Sequence, residues 1–456
     1  MTTTSPHLKK TFLGHPIGLF VLFFTEMWER FSYYGMRALL ILYMTDYLFQ
    51  LAATGQQIVG FCALKACLEA VFGPLAIQPL ASQIYGLYTG LVYLTPFFGG
   101  LLADRLLGQR KTVVLGAVLM AIGHFLMAIE SLFFIALFFL ILGNGCFKPN
   151  ISTQVGSLYE PGDPRRDSAF SIFYMGINLG AFFSPLVCGT LGKYMGWHYG
   201  FGAAGVGMLI GLFVYLWGQK YLAPDNLMRK KILTHQEETT LTSTEWKAIW
   251  GLCGLCLLNV VFWGVYEQQG NTLQLFAEHH TDWRIFGKEM PSTWFQSFNP
   301  FFVIVLTPLL NMFWRRQARG GKEPSTVAKM ALGCIILGLS FLVLMAGTQG
   351  MGEAQRISCC WLVLCIFVCT IGELYLSPIG LSLVSKVAPV RLVSMTMGIW
   401  FLSSFLGNYL SGYLGTYYEV FSKDQFFLML ALFALGAGIA MFALKKPLKK
   451  AIGEEV

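Results

Sequence analysis

Twelve apolar runs punctuate this chain, each compatible with the roughly 20 residues (about 17 to 25) that carry a helix across about 30 Å of hydrocarbon. They lie near Pro16 to Phe49, Ser82 to Ala103, Thr112 to Glu130, Ser131 to Tyr159, Ser168 to Leu191 and Gly200 to Trp217 in the first half. In the second half they lie near Ile249 to Leu275, Phe295 to Trp314, Val327 to Met345, Cys359 to Leu383, Ser394 to Tyr417 and Gln425 to Leu444. Only 12% of the 456 residues are charged, against about 25% in an ordinary soluble protein. So few charges cannot keep a soluble surface of this size wet. The composition therefore argues against a soluble enzyme, and the expected class is an all-α integral membrane protein with twelve spans.

One topology places every basic residue. With both termini inside, the cytoplasmic loops and helix ends hold 23 of the 32 Lys and Arg residues, the outer side six, and the membrane interior Arg30, Arg37 and Lys148. An excess of positive charge stays on the cytoplasmic side, so the net charge of +8 reports topology and is no sign of nucleic-acid binding. The polar stretch 220–247, with Pro224, Arg229, Lys230 and Lys231, separates six runs from six and reads as a cytoplasmic linker. The expected organisation is an N-terminal six-helix bundle over residues 1–219, this linker, and a C-terminal six-helix bundle over 248–456. The outer segment 51–80 is unusually long, and its apolar part from Phe61 to Phe72 is too short to span, so an interfacial or cap helix is expected there.

The first run is too long and too charged for a cleavable signal peptide. Cys253 and Cys256 form a CxxC pair, but inside a span and without a second pair or a nearby His, which disfavours a metal site or disulfide. The sequon at Asn150 lies at membrane depth, out of reach of glycosylation.

Charges inside the spans are where function is to be sought, because each costs about 2.5 to 3.5 kcal/mol at a helix centre. The first run carries Glu26, Glu29, Arg30 and Arg37. Facing lipid they would together cost on the order of 10 kcal/mol, so pairing in a wet cavity is the better solution. At about 100° per residue, Glu26, Arg30, Tyr33 and Arg37 share one stripe, with Glu29 and Tyr34 on its flanks. Phe24, Trp28, Phe31, Gly35, Leu39 and Leu42 occupy the opposite face, which fits lipid or helix packing. A salt-bridge lock between the first helix and a neighbour would account for this cluster alone. Lys148 in the fourth run, Glu267 in the seventh and Glu373 in the tenth argue further for a common polar space. Tyr174 and Asn178, spaced i, i+4, share a face of the fifth.

These residues divide by sign. The N-terminal half contributes Arg30, Arg37 and Lys148, partly neutralised by Glu26 and Glu29, and the C-terminal half contributes Glu267 and Glu373. A cavity at the interface of the two bundles would be positive on one wall and negative on the other. That pattern complements a zwitterion with separated carboxylate and ammonium ends, such as a short peptide.

The run from Glu26 to Gly35 (EMWERFSYYG) resembles the ExxERFxYYG signature of the proton-dependent oligopeptide transporter family, within the major facilitator superfamily. Gly143 to Ser152 (GNGCFKPNIS) is similar to the family's helix 4 segment, and Phe173 to Gly180 (FYMGINLG) to its FYxxxNxG signature. Phe262 to Gln268 (FWGVYEQ), Gln296 to Phe302 (QSFNPFF) and Gly372 to Ser382 (GELYLSPIGLS) resemble its helix 7, 8 and 10 segments. Gly100 to Lys111 (GLLADRLLGQRK) looks like the superfamily's loop between helices 2 and 3. Many bacterial members insert two further helices between the bundles, for which the linker here has no room.

The resemblance implies that Glu26, Glu29 and Arg30 couple the proton, with Lys148 in the same network and on the substrate carboxylate. It implies that Arg30, Arg37, Tyr34 and Tyr93 line the N-terminal side of the pocket, and that Asn178, Asn299 and Glu373 hold the peptide amino terminus and backbone. Tyr174, Trp263 and Trp400 would be aromatic walls, while Glu267 and Ser377 would serve protonation and gating beside the substrate. From the residues alone, Tyr93, Trp263 and Trp400 fit packing or interfacial roles equally well, and Asn299, before Pro300, fits a helix cap. His124 reads as a packing residue. Arg105, Arg110 and Lys111 form a latch with Asp104 or simply follow the positive-inside rule. Pro149 frees a backbone carbonyl in the fourth helix.

The function implied is a proton-coupled symporter that imports di- and tripeptides by alternating access of the two bundles about a midplane site. It would sit in the plasma membrane, the inner membrane of a bacterium, with a monomer as the expected unit, the proton as coupling ion, and no metal or other cofactor. The alternative on the same fold is a symporter of another small zwitterion or anion, such as a peptidomimetic, nitrate-like or metabolite substrate. Relatives with changed substrates often lack the acidic ExxER residues, which this chain keeps. A membrane-embedded enzyme would want a His, Cys or Asp constellation at one face and a channel repeated pore-lining residues, and the sequence offers neither.

Overall fold

The computed structural model describes residues 10–160, 162–225, 243–285, 287–352, 354–387 and 393–452. Twelve helices of 18 residues or more run through them, one on each apolar run. In the first half these are α1 (Ile17–Tyr43), α2 (Ile77–Leu102), α3 (Gln109–Leu126), α4 (Phe133–Ser157), α5 (Arg165–Met195) and α6 (Trp197–Gly218). In the second they are α7 (Ser243–Tyr266), α8 (Phe298–Arg319), α9 (Thr326–Thr348), α10 (Cys359–Val387), α11 (Val393–Gly415) and α12 (Lys423–Ile452). Nine have a window of 18 residues apolar enough to cross a membrane with at most two charges. Helix α1 is not among them, because every such window along it contains Glu26, Glu29 and Arg30 together. The 226–242 part of the linker lies outside the described residues, and α7 begins at Ser243, earlier than the Ile249 expected from hydropathy.

The chain divides into two compact units, residues 1–73 with 91–234 and residues 74–90 with 235–456. In the first, α1 packs on α5 and α6, and α3 packs on α4. Small residues allow this closeness: a Cβ on Gly180 of α5 would stand 2.1 Å from the carbonyl oxygen of Met27, and one on Gly99 of α2 would stand 2.0 Å from that of Gly145. The apolar face of α1 is thus used for helix packing. Phe31, Leu39 and Leu42 are buried, Trp28 lies against Gly211 of α6, and Phe24 is the member left 46% exposed.

One end of the first unit gathers the N-terminal segment, two loops and the start of the linker. A short hairpin pairs Thr11–Phe12 with His15–Pro16. The His15 ring meets Tyr159 Oη at 2.8 Å, and Arg165 donates to the Gly14 carbonyl at 3.0 Å. The Arg165 guanidinium also holds the part-buried Asp163 carboxyl down to about 2. Across the same end, Arg110 donates from Nε to the Ala223 carbonyl at 3.0 Å and from Nη2 to the Leu222 carbonyl, while its backbone N–H is accepted by Asp225 at 3.0 Å. The partner of Arg110 is therefore the beginning of the linker and not Asp104. A helix covers Phe61–Phe72, with Leu68 as its buried residue.

In the second unit α7 packs on α11 and α12, and α9 packs on α10 and α12. The seventh apolar run is not one continuous helix. After Tyr266 the backbone tightens into a 3-10 turn, Glu267–Gly270, and turns at Asn271 before resuming as Thr272–His279. Gln268 donates to the carbonyls of Gly264 and Ser411, and Asn271 donates to that of Ser411. The Gln268 amide thus satisfies the Gly264 carbonyl where the helix opens, and Gln268 and Asn271 tie the break to α11; membrane proteins tolerate such irregular backbone only inside protein.

Candidate functional site

In the first unit the charged stripe of α1 is buried: Glu26 is 2%, Glu29 0%, Arg30 4% and Arg37 8% exposed. The i, i+4 spacing brings Arg30 Nε to 3.2 Å from Glu26 Oε1. The sequence-adjacent Glu29 makes the closer pair, with its Oε2 on Arg30 Nε and its Oε1 accepting from Nη2 at 2.6 Å. Adjacent side chains leave a helix about 100° apart, but the long guanidinium folds back along the axis and forks onto the carboxylate. The resulting arrangement is two buried carboxylates on one guanidinium, with Glu26 Oε2 lacking a hydrogen-bond partner among the described residues.

Helix α4 contributes two groups to this cluster. Lys148 lies within electrostatic reach of Glu26, and its Nζ stands 4.3 Å from the centre of the Tyr93 ring. Tyr93 is therefore a cation-facing aromatic. One turn before Lys148, the buried Asn144 donates to Glu29 Oε1 at 3.4 Å. Sequence reasoning passed over Asn144, although its i, i+4 relation to Lys148 was the available signal. Further along α1, Arg37 lies over the Tyr34 ring at 5.8 Å. On α5, Tyr174 is 44% exposed, and Asn178 donates to the Tyr174 carbonyl at 2.9 Å, so the amide oxygen of Asn178 is the group it can offer to an ammonium.

The second unit holds a different cluster. Asn299 lies in the first turn of α8 and does not cap it. Its Nδ2 approaches Glu373 Oε2 at 2.9 Å, Thr370 Oγ1 at 3.0 Å and Tyr266 Oη at 3.1 Å. Thr370 spends its proton on the Ile366 carbonyl, which leaves lone pairs for Asn299. The Tyr266 hydroxyl is also hydrogen-bonded to Glu373. One carboxylate is thus held by neutral donors from α7 and α8. Tyr266 and Thr370 were missed from the sequence, Tyr266 despite standing next to Glu267. Glu267 itself is buried in the 3-10 turn that breaks α7. Trp263 stacks edge-on against Phe262 and Tyr266, Trp400 is buried on α11, and Ser377 is half-buried one turn beyond Glu373. His124 of α3 is fully buried, with no hydrogen-bond partner for either ring nitrogen among the described residues.

Twelve spans with acids and bases buried at membrane depth, and a helix broken around a buried carboxylate, define a helical membrane transporter with the major facilitator fold. The chain belongs to the POT family, whose sequence profile matches residues 110–238 and 222–430. The two matches overlap over residues 222–238, within the stretch read as the linker. The chain is 34% identical to the peptide transporter YePEPT of Yersinia enterocolitica subsp. palearctica, over 95% of this chain and 93% of the relative. It is 32% identical to a di-/tripeptide transporter of Lactococcus lactis subsp. cremoris, over 98% of each. Both alignments, of 500 and 509 residues, exceed the 456 residues of this chain, so the relatives carry residues that it lacks. Among solved structures, a mutant of the peptide transporter POT in complex with alafosfalin superposes with a TM-score of 0.83 at 32% identity over 97% of each chain.

Proposed function

We propose that the protein is a proton-coupled symporter that imports di- and tripeptides by alternating access, seated in the plasma membrane with both termini in the cytoplasm and acting as a monomer. The observation that carries this reading is the pair of buried carboxylates, Glu26 and Glu29, sharing Arg30 within reach of Lys148. Two acids competing for one guanidinium can accept a proton with the loss of a single ion pair, which makes the cluster a proton acceptor whose remaining carboxylate keeps its cation. Lys148 and Arg30 then read the substrate carboxylate, and Glu373 with Asn178 the ammonium, with Arg37, Tyr34, Tyr93, Tyr174, Trp263, Asn299, Ser377 and Trp400 around the peptide. Glu267, at the break in α7, joins the proton path. The relatives' names as peptide and di-/tripeptide transporters support the substrate class. The driving force is the membrane potential, worth about 2.3 kcal/mol per charge per 100 mV, together with the pH gradient.

The test is uptake of dialanine into proteoliposomes with and without an inward proton gradient. Accumulation that requires the gradient supports the reading. Uptake indifferent to both pH and potential would remove proton coupling from it.

A further inference from the structure

Two turns beyond Lys148 toward the end of the first unit that carries the N-terminal hairpin, α4 and α5 border an open groove of about 460 Å³ lined by Ser152, Thr153, Gly156, Ser157, Arg166 and Phe170. That volume is in the range of small-molecule pockets. Lys148, Ser152 and Gly156 recur every four residues on α4, as do Tyr174, Phe170 and Arg166 on α5, so the groove continues the faces that carry Lys148 and Tyr174.

The chemistry of its wall is specific. Ser152 donates to the Lys148 carbonyl at 3.2 Å, Thr153 to that of Pro149 at 2.8 Å and Ser157 to that of Thr153 at 3.1 Å. With their protons committed to the helix, the three hydroxyls present lone pairs and act as acceptors. Opposite them, the Arg166 guanidinium lies over Gly156, where a Cβ would stand 3.1 Å from Nη2. No carboxylate lies within ion-pair distance of it among the described residues; its neighbour Arg165 takes Asp163 instead. A planar cation facing a row of acceptors complements a carboxylate joined to N–H donors.

We propose that this groove is a second peptide station, occupied after the carboxylate leaves Lys148, with Arg166 receiving the carboxylate and the α4 hydroxyls receiving the N–H groups. The inference rests on the peptide-transport reading above and deepens it. At 1.5 Å per residue, Lys148 and Gly156 lie about 12 Å apart along α4, whereas a dipeptide spans roughly 7 Å. A single carboxylate cannot be held at both positions, and a dipeptide passes it from Lys148 to Arg166. Arg166 is exposed, so its hold is screened and weak, which suits a station that must release its ligand.

The experiment is dialanine counterflow in oriented phosphatidylcholine vesicles, which contain no anionic headgroup to compete for Arg166. Arg166→Ala should raise the half-saturation measured from the linker side by about three- to fivefold, leave the opposite side within about twofold, and leave dialanine amide, which has no carboxylate, unaffected. Gly156→Ala, whose methyl displaces the guanidinium, should shift the same value by less. An unchanged linker-side value, or equal shifts on both sides, overturns the station. If the wild-type protein carries no dialanine, the peptide reading fails, and the station is judged by Phe170→Trp fluorescence in the purified protein. A response to dialanine but not to its amide keeps the carboxylate site, and identical responses or none overturn it.

Discussion

The two buried acid clusters solve the same electrostatic problem in different ways. In the first unit, Glu26 and Glu29 are balanced by charge, through Arg30 and the nearby Lys148. In the second, Glu373 is balanced by neutral donors, Asn299 and Tyr266, with Thr370 behind them. A carboxylate held by ions gives up little when one of two acids is protonated, because the guanidinium keeps a partner. A carboxylate held by neutral donors alone has no cation balancing it, and attracts one. The first arrangement suits exchange of a proton, the second recognition of an ammonium group.

The largest effect is expected at the first cluster. Replacing both Glu26 and Glu29 with Gln should reduce gradient-driven accumulation of dialanine to the level seen without a gradient, while counterflow of labelled for unlabelled peptide survives at a reduced rate. Removing one partner of a buried ion pair costs about 3 to 5 kcal/mol, so surviving counterflow also shows that the variant is folded. Equal loss of both activities would make the cluster structural.

At the second cluster, Glu373→Gln should weaken dialanine binding about ten- to a hundredfold, the worth of a charged hydrogen bond of about 1.5 to 3 kcal/mol. N-acetylated dialanine, which has no ammonium, should lose much less. Equal losses for the two peptides would mean that Glu373 does not face the amino terminus. A finer distinction comes from Tyr266→Phe and Asn299→Ala, each of which removes one donor held near Glu373. About fivefold weaker binding is expected from each, near 1 kcal/mol per bond, with no effect on proton coupling. A coupling defect in either variant would merge the two roles that the comparison separates.

The smallest effect lies outside the membrane, on the loop after the broken seventh helix. Burial, and then the charge of Lys423, pushes the half-buried His280 imidazole down to about 4, from about 6.5 when unfolded. A depressed histidine pKa means that the folded state prefers the neutral ring. The stabilisation is therefore complete above about pH 6.5 and is lost as pH falls through the window toward 4. His280→Gln should flatten the decline in melting temperature between pH 6.5 and 4, and an unchanged slope would assign that decline to other groups.

Much of the first cluster was legible along the chain, because its acids and its arginine lie within one turn of α1 and the 100° rule puts Glu26 under Arg30. Which acid pairs more closely was not legible. The reach of a guanidinium around its own helix, and the arrival of Asn144 at a sequence separation of 115, decide in favour of Glu29. The second cluster was half legible. Asn299 and Glu373 stood out as polar residues in apolar runs, but their contact spans 74 positions, and Tyr266 resembles any other aromatic beside them. The break after Tyr266 escaped hydropathy altogether, since Glu267 to Asn271 is too short to interrupt an apolar window and its amides find their carbonyl partners on α11.

The number of spans and the identity of the buried charges can be read along the chain, because the bilayer penalises each polar group by its position in one chain, whatever its partners. How those charges are compensated, by ions around Arg30 and by neutral donors around Glu373, follows from the packing of the helices. A hydrogen bond extends over about 3 Å and depends on which helices lie side by side, a relation that helix packing creates and that no periodicity within a single helix encodes.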